Sequence, residues 1–324
     1  MDYRKCELCA RRCFVNRESG ETGRCRSSSI PRVSRAALHM WEEPIISGTR
    51  GSGTIFFSGC SLGCVFCQNA DISRGRVGKE VTYSELADMM LRLSAEGAHN
   101  INLVTPTHFL PSVISSVTLA RERGLSVPIV YNTSSYETPE AVRSLSDTVD
   151  IFLADFKFFR KETARELAAA ENYPEVARAA ISEMVKISPR HVIEDGIMKS
   201  GVIVRILLLP GHVAEAKLIL KYLYQSYGEN IYYSLMSQYT PMDGMTGALS
   251  RRVTKKEYSE LLEYAERLGI VNAFIQGEES AGREYIPEFE IYKTLSGVAF
   301  RKGSHRHAEG FFSSGENRLF LLLQ

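Results

Sequence analysis

The chain has 324 residues, of which 44% are hydrophobic and 24% charged, and its formal net charge is +1. These values are typical of a soluble globular protein with one large or two small domains, and they give no support for a nucleic-acid partner. No apolar stretch reaches the roughly 20 residues that cross a bilayer, and the first residues lack a secretory signal. All seven cysteines precede residue 68, which favours metal ligation in a reducing cytoplasm over a disulfide framework.

Residues 1–31 form a cysteine-rich segment. Cys6, Cys9, Cys13 and Cys25 follow the pattern C-x2-C-x3-C-x11-C among basic and polar residues, with too few apolar side chains for a core of their own. Four thiolates around a metal could supply the missing stability. Such sites hold structural zinc or a [4Fe–4S] cluster, and the spacing does not decide between them. Free or redox-paired thiols are the remaining alternative.

Residues 32–53 are predicted to be an irregular lead-in. The runs WEEP and SGTRGSG are rich in turn-forming residues. Two glycines, Gly51 and Gly53, stand directly before the first predicted strand.

The strongest motif is the run 54–69, TIFFSGCSLGCVFCQN. A short apolar strand is followed by Cys60, Cys64 and Cys67, spaced C-x3-C-x2-C. Three thiolates can hold three irons of a [4Fe–4S] cubane, which leaves the fourth iron open to a ligand that is not protein. A structural zinc site would require four protein ligands. Three buried core cysteines, or a zinc knuckle, are the alternatives.

This loop resembles the cluster loop of the radical S-adenosylmethionine (radical SAM) superfamily. Its GC-x2-GC-x-FCQN form is similar to that of the activating enzymes of pyruvate formate-lyase and their uncharacterised relatives, and Phe66 matches the aromatic residue that often precedes the last cysteine. The resemblance covers about residues 50–287. It implies that S-adenosylmethionine chelates the open iron and that an electron from the reduced cluster cleaves its carbon–sulfur bond. Methionine and a 5′-deoxyadenosyl radical result, and the radical abstracts hydrogen from a substrate.

From residue 54 onward, short apolar runs alternate with helical stretches. The predicted strands are 54–57, 101–104, 128–131, 151–154, 202–208 and 231–235, with a weaker one at 272–275. The predicted helices are 83–96, 110–124, 139–146, 161–188, 213–227 and 255–268. Apolar strands separated by helices predict an α/β fold with a parallel sheet. The units fit a partial (β/α) barrel over 54–290, and the resemblance implies the six-stranded, TIM-like form.

Chemistry in such barrels sits at the carboxyl ends of the strands. Thr105 to Thr107 occupy the place of the superfamily's Gly-Gly-Glu motif, which holds the cofactor's amino group; backbone carbonyls there could also accept from an ammonium. Asn132 and Thr133 resemble the start of the Asp-Thr-Asn-Gly turn of the activating enzymes, with a plain polar turn as the alternative. His108 is expected either to line the substrate space or to cap the next helix.

Asp155 and Lys157 match the family's Asp-Ile-Lys, in which the acid assists at the cofactor's amino group and the lysine at its carboxylate. Residues two apart on a strand face the same side. Arg205 lies in an apolar strand and would need a partner if buried, which an anion in the site could provide. Tyr239 stands where the activating enzymes have a histidine. This departure and the missing Gly-Gly-Glu leave the substrate open, and the sequence identifies no catalytic base.

The resemblance implies a low-potential electron donor of the flavodoxin or ferredoxin type. The substrate is either a glycine Cα of a partner protein, as in glycyl radical activation, or another protein or small molecule. A non-catalytic module that docks protein or nucleic acid through its cysteine-rich segment is an alternative of another class, but it leaves the barrel unexplained. A plain electron carrier is disfavoured by the three-cysteine loop. Residues 291–324, with His305 and His307, are predicted to be a poorly ordered extension.

Overall fold

The computed structural model describes residues 2–276 and 320–323, and all structural statements concern those residues. The strands are β1 (Arg32–His39), β2 (Ser52–Phe57), β3 (Lys79–Glu80), β4 (Ile101–Val104), β5 (Ile129–Thr133), β6 (Ile151–Asp155), β7 (Val192–Glu194), β8 (Ile197–Leu207), β9 (Tyr232–Met236), β10 (Ala273–Gln276) and β11 (Phe320–Leu323). The helices are α1 (Pro44–Ser47), α2 (Ala70–Ser73), α3 (Tyr83–Ala95), α4 (Leu110–Glu122), α5 (Pro139–Arg143), α6 (Lys161–Ala168), α7 (Tyr173–Ile187), α8 (Val213–Tyr227) and α9 (Lys255–Leu268).

The strands join one sheet in the order β3-β1-β2-β4-β5-β6-β8-β9-β10-β11, and β7 forms a hairpin with β8. Every pairing from β2 to β11 along this order is parallel, whereas β1 pairs antiparallel with β2 and β3. From β2 to β10, helices lie between successive parallel strands, as βαβ crossovers require. The α/β class with a mostly parallel sheet is therefore confirmed, and it is consistent with the partial barrel of radical SAM proteins.

Two apolar clusters lie on opposite faces of the sheet. Successive side chains of a strand point to opposite faces, which separates the two clusters. For example, Phe152 belongs to the larger cluster, while Ile151 and Leu153 belong to the smaller. The larger cluster contains the buried faces of the long helices. The smaller is filled by Ile45 and Ile46 of α1, so this short helix packs inside the curve of the sheet and leaves the carboxyl ends of the strands free for a cavity.

The prediction of an irregular lead-in at 32–53 was wrong for most of its length. Residues 32–39 form β1, residues 44–47 form α1, and the first barrel strand already begins at Ser52. The register pairs His39 with Ser52 and Val33 with Phe57, so the lead-in forms a hairpin with the first barrel strand. An antiparallel neighbour satisfies the edge of β2 that would otherwise expose unpaired backbone groups.

The single helix predicted over 161–188 is two helices. α6 ends at Ala168, because Ala169 adopts a left-handed conformation with φ 48°, and α7 begins at Tyr173 with a proline in its first turn. The predicted start of the helix at Tyr83 is confirmed: the Thr82 hydroxyl accepts from the Glu85 amide, and the Glu85 carboxylate accepts from the Thr82 amide.

The N-terminal segment packs against the barrel rather than standing apart. Tyr3, Cys6 and Leu8 are buried within the larger apolar cluster. The segment was predicted to have too few apolar residues for a core of its own, and in the structure it shares the core of the barrel.

Most of the C-terminal extension, including His305 and His307, lies outside the described residues. Its residues 320–323 form β11, parallel to β10, which corrects the prediction of poor order at those four positions. Among the described residues, no helix is long and apolar enough to cross a membrane.

Candidate active site

A cavity of about 310 Å³ opens at the carboxyl ends of the parallel strands. Its lining includes the last residues of β2, β4, β5, β6, β8 and β9, together with the loop that carries Cys60, Cys64 and Cys67. Of the residues predicted at the strand ends, the cavity brings together Thr105, Asn132, Thr133, Asp155, Lys157 and Arg205. Parallel strands bring these positions to one edge although up to a hundred residues of sequence separate them.

The three-cysteine loop presents its sulfurs to this cavity. The Cys60 sulfur accepts hydrogen bonds from the amides of Gly63 and Leu62. Burial raises the pKa of the Cys60 and Cys64 thiols, and the negative charges of the neighbouring thiolates raise it further. Lys157 opposes this effect at Cys64. Half-buried thiolates that repel one another, with amide N–H donors at Cys60, are suited to ligation of a cationic centre, so the three cysteines fit an iron–sulfur cluster.

A charge cluster occupies the wall of the cavity. Asp155 receives Arg205 Nε on Oδ1 at 2.7 Å and Lys157 Nζ on Oδ2 at 2.6 Å. Arg205 also donates from Nη2 to Asn132 Oδ1 at 2.6 Å. The side chains of Asp155, Lys157 and Arg205 are between 14 and 21% exposed, so they are open to the cavity but poorly solvated.

The pKa values of the cluster follow from burial and mutual attraction. Burial raises the pKa of Asp155, but the charges of Arg205 and Lys157 outweigh burial and hold it below its ordinary value. Burial lowers the pKa of Lys157, and Asp155 more than restores it. The pKa of Arg205 lies above its ordinary range because Asp155, Glu43 and Glu42 outweigh burial. All three side chains are therefore ionised at neutral pH.

Two acids that sequence reasoning missed complete the site. Glu42 and Glu43 line the cavity from the supposed lead-in, where α1 carries them inside the barrel. Glu42 lies 3.5 Å from Arg205 Nη1 and accepts from Asn102 Nδ2 at 2.9 Å. Burial raises the pKa of Glu43 to about 7 despite the Arg205 charge. The only sequence signal was the pair of acids itself, directly before a proline.

Glu43 is the less satisfied of these two acids. It is only 3% exposed, and no described residue forms a hydrogen bond with its Oε2 atom. The Ser234 hydroxyl lies close by and lowers the pKa of this carboxyl. A buried carboxyl oxygen without a partner at a cavity is unusual in a folded protein and indicates a place where a bound molecule is recognised.

The structure does not place every predicted residue in the cavity. Thr107 is 2% exposed and donates to Glu137 Oε1 at 2.6 Å, away from the cavity lining, whereas Thr105 lines it in a left-handed conformation with φ 57°. Thr133 lines the cavity and also donates to Glu137.

His108 neither lines the cavity nor caps α4 through its side chain. Its Nε2 lies 2.8 Å from the carbonyl oxygen of Ser58, directly before the three-cysteine loop. Burial lowers its pKa to about 3, so the ring is neutral and acts as a support for that loop.

Comparison with known proteins identifies the family. The sequence model of the Radical SAM superfamily matches residues 54–223, which include the three-cysteine loop and the charge cluster. The chain belongs to the radical SAM superfamily. Membership implies a [4Fe–4S] cluster and S-adenosylmethionine as cofactors, and an enzyme that cleaves S-adenosylmethionine to a radical.

Two further similarities agree with this. The chain is 30% identical over 280 residues to "Uncharacterized protein MJ0674" of Methanocaldococcus jannaschii, covering 83% of this chain and 76% of the relative. Its fold is similar to the crystal structure of a radical SAM methyltransferase from Sphaerobacter thermophilus, with a TM-score of 0.50 and 17% identity over 68% of this chain. The match spans 65% of that methyltransferase, less than two thirds of its length, and at this identity it bears on the fold alone.

The cysteines of the N-terminal segment lie apart from this cavity lining. Cys6, Cys9 and Cys25 are buried and Cys13 is half-buried, and all are free thiols. Within residues 2–276, no three His, Cys, Asp or Glu side chains are already gathered to hold a metal ion. The spacing and donor chemistry of Cys60, Cys64 and Cys67 fit the cluster that family membership implies.

Proposed function

We propose that this radical SAM enzyme binds S-adenosylmethionine in the strand-end cavity, with the cofactor's amino acid portion against Asp155, Lys157 and Arg205. The observation that carries the proposal is that one cavity is lined both by the three cysteines and by this charge cluster. When bound, the [4Fe–4S] cluster and S-adenosylmethionine supply the chemistry: one electron from a low-potential flavodoxin- or ferredoxin-type donor cleaves a carbon–sulfur bond to give a radical that takes a hydrogen atom.

The chain's own residues then bind and orient. Asp155 offers a carboxylate to an ammonium, and Lys157 and Arg205 offer cations to a carboxylate. Asn132 and Asp155 fix the plane of the Arg205 guanidinium through two hydrogen bonds. Thr105 takes the position of the absent Gly-Gly-Glu motif, where its backbone carbonyl can accept from the cofactor's amino group. Positioning of this kind is what a protein contributes when its cofactors carry the reactive groups.

For the substrate, we propose first a glycine Cα–H of a partner protein. The support is the GC-x2-GC-x-FCQN loop and the Asp155-Phe156-Lys157 run, both of which resemble the activating enzymes of pyruvate formate-lyase. Tyr239 weakens the analogy, since its hydroxyl donates to the Leu249 carbonyl at 2.7 Å and is engaged within the protein.

A second candidate is a different substrate, protein or small molecule, that carries an N–H or ammonium group. Glu43 favours it. Its buried Oε2, which has no hydrogen-bond partner among the described residues, offers an acceptor to a molecule inside the cavity. The carboxyls of Glu42, Glu43 and Asp155 outnumber the cations Lys157 and Arg205 at the cavity, so a bound ammonium group would favour the ionised form of Glu43.

The proposed reaction is tested with anaerobically reconstituted protein. Dithionite and S-adenosylmethionine should yield 5′-deoxyadenosine and methionine. Cys64→Ala should abolish this yield, and the variant should contain about four fewer irons per chain. Wild-type protein that holds the cluster but never cleaves S-adenosylmethionine would contradict the proposal and leave a non-catalytic metal-binding module or an electron carrier.

The two substrate classes are separated by isotope transfer. A cell extract whose glycine residues carry deuterium at Cα is divided by dialysis into a protein fraction and a small-molecule fraction. Reconstituted protein is then incubated with each fraction separately. Deuterium in 5′-deoxyadenosine from the protein fraction supports glycyl activation. Unlabelled 5′-deoxyadenosine, formed above background with either fraction, supports the second candidate.

A further inference from the structure

The N-terminal segment crosses the loop after β5 at Cys9. Cys9 forms a β-bridge with Glu137, and the Ala10 amide donates to the Tyr136 carbonyl at 3.2 Å. The Cys9 side chain lies within electrostatic reach of those of Cys6, Cys13 and Cys25. Cys9 is thus close to the other three, although Cys6 and Cys25 are 19 positions apart in sequence.

Each of the four sulfurs has an N–H donor. The donors are the amide of Arg11 to Cys9, the amide of Arg24 to Cys13 at 3.4 Å, the amide of Ser27 to Cys25, and the guanidinium of Arg17 to Cys6 at 3.8 Å. N–H donors favour thiolates over thiols, and they commonly surround the sulfurs of thiolate-ligated metals. This set of N–H donors suits four thiolates that share one bound cation.

Several residues beside these cysteines have a strained backbone conformation. Arg12 and Phe14, on either side of Cys13, have φ values of 42° and 56°, and Arg26, directly after Cys25, has φ 58°. Residues other than glycine rarely adopt this left-handed conformation, because Cβ then crowds the following carbonyl oxygen. Gly23 passes so close to Cys13 that a Cβ atom there would lie 2.8 Å from its sulfur. Such a backbone persists only where other interactions impose it.

The segment also holds the three-cysteine loop of the active site. Arg11, between Cys9 and Cys13, donates to the carbonyls of Ser61 at 3.0 Å and Leu62 at 3.1 Å. On the other side, the Cys25 carbonyl oxygen packs against Gly59, where an added Cβ atom would lie only 2.7 Å from that oxygen. A change in the conformation of the four-cysteine segment therefore reaches the backbone beside Cys60.

We propose that Cys6, Cys9, Cys13 and Cys25 bind one metal centre through four thiolates, and that this centre fixes the position of the loop 59–67. The ligand is a thiophilic metal, either a zinc ion or an iron–sulfur cluster, and its binding displaces the four thiol protons. The chain supplies the ligands, their N–H donors and the two contacts to the loop.

The metal site is tested in a protein in which Cys60, Cys64 and Cys67 are all replaced by serine, so that only the N-terminal cysteines remain. It is loaded anaerobically with Zn²⁺, or with Fe²⁺ and sulfide, and desalted. The expected result is about one zinc or about four irons per chain. When both metals are offered together, the metal that the protein retains identifies the centre. Adding Cys9→Ser and Cys25→Ser should abolish retention. A triple variant that keeps neither metal, or metal that persists after these two further changes, would overturn the site.

The effect on the loop is tested by hydrogen exchange in the same triple variant, with and without metal. The Gly59 amide donates to the Ile72 carbonyl at 2.8 Å, and the Val65 amide to the Leu167 carbonyl at 2.9 Å. Both should exchange at least tenfold more slowly in the loaded protein. The Ile101 amide, bonded to the Pro128 carbonyl, is the control and should not change. Equal rates at Gly59 and Val65 in both forms would overturn the link to the loop, whatever the result for cofactor cleavage.

Discussion

Asp155 and Arg205 are register partners on neighbouring parallel strands, and their side chains meet at 2.7 Å on the cavity side of the sheet. Lys157 binds the other oxygen of the same carboxylate. One acid thus holds two cations that would otherwise repel each other in a poorly solvated wall. The pair is the structural basis of the proposed cofactor contacts, because it fixes both charges before any ligand arrives.

Replacing Asp155 by asparagine should weaken binding of S-adenosylmethionine. The variant keeps the shape of the side chain but removes the charge that orients Arg205 and Lys157, so we expect the dissociation constant to rise at least tenfold, about 1.4 kcal/mol. Titration of the reduced cluster, followed by electron paramagnetic resonance, measures the affinity and also shows that the cluster is present. Asp147→Asn, at an exposed position, is the control and should bind as the wild type does. Unchanged affinity in Asp155→Asn would remove Asp155 from the site.

Arg17 should be essential for the attachment of the N-terminal segment. Its guanidinium is 1% exposed and donates to the carbonyls of Ser27 at 3.0 Å and His108 at 2.5 Å. Lysine cannot make both contacts in one plane, so Arg17→Lys should lower the free energy of unfolding by about 2–4 kcal/mol. Arg4→Lys is the matched control: its side chain is 70% exposed, and the change should cost less than about 0.5 kcal/mol. Equal stabilities in denaturant titrations would show that the buried contacts of Arg17 contribute little.

Gly59 and Gly97 form a matched pair of positions. Their φ values are 96° and 95°, but a Cβ at Gly59 would meet Ser27 Oγ at 2.5 Å, whereas nothing lies within 4 Å at Gly97. Gly97→Ala should therefore cost only the backbone strain, about 1–2 kcal/mol. Gly59→Ala should cost a further 1–3 kcal/mol from overpacking, and it should lower iron retention because the shift falls beside Cys60. Thermal unfolding and iron analysis of both variants decide whether crowding at Gly59 matters.

Glu43 should make stability depend on pH in a defined window. Burial raises its pKa from an ordinary value of 4.5 to about 7, so between these values the folded protein holds a proton that the unfolded chain releases. This contribution to stability is present below pH 4.5 and is lost as the pH rises to 7. Glu43→Gln cannot lose the proton, so its stability relative to the wild type should improve by about 1–3 kcal/mol across the window.

The measurement is denaturant unfolding of wild type and variant at several pH values. Glu122→Gln, at an exposed position, provides the control and should run parallel to the wild type. A Glu43→Gln curve that also runs parallel would mean that the pKa of Glu43 is not raised.

Some of the site could be read from the sequence because local patterns encode it. The spacing of Cys60, Cys64 and Cys67 lies within one loop, and Asp155 and Lys157 stand two apart at the end of one strand. The order of helices and strands followed from hydrophobic periodicity, which is also local. Errors arose where a local signal was weak: the Asp195-Gly196 turn, with φ values of 51° and 77°, joins β7 to an extended β8 that the apolar run alone did not indicate.

The sequence by itself determined the family, the parallel α/β order and the three-cysteine loop, because each depends on residues that are close along the chain. Only the tertiary structure decided that Arg205 pairs with Asp155, that Thr107 turns to Glu137 instead of the cavity, and that Glu43 faces the site. These facts depend on strand register and on α1 folding into the barrel. Register and long-range packing are fixed by the burial of side chains from distant segments, which no short stretch of sequence contains.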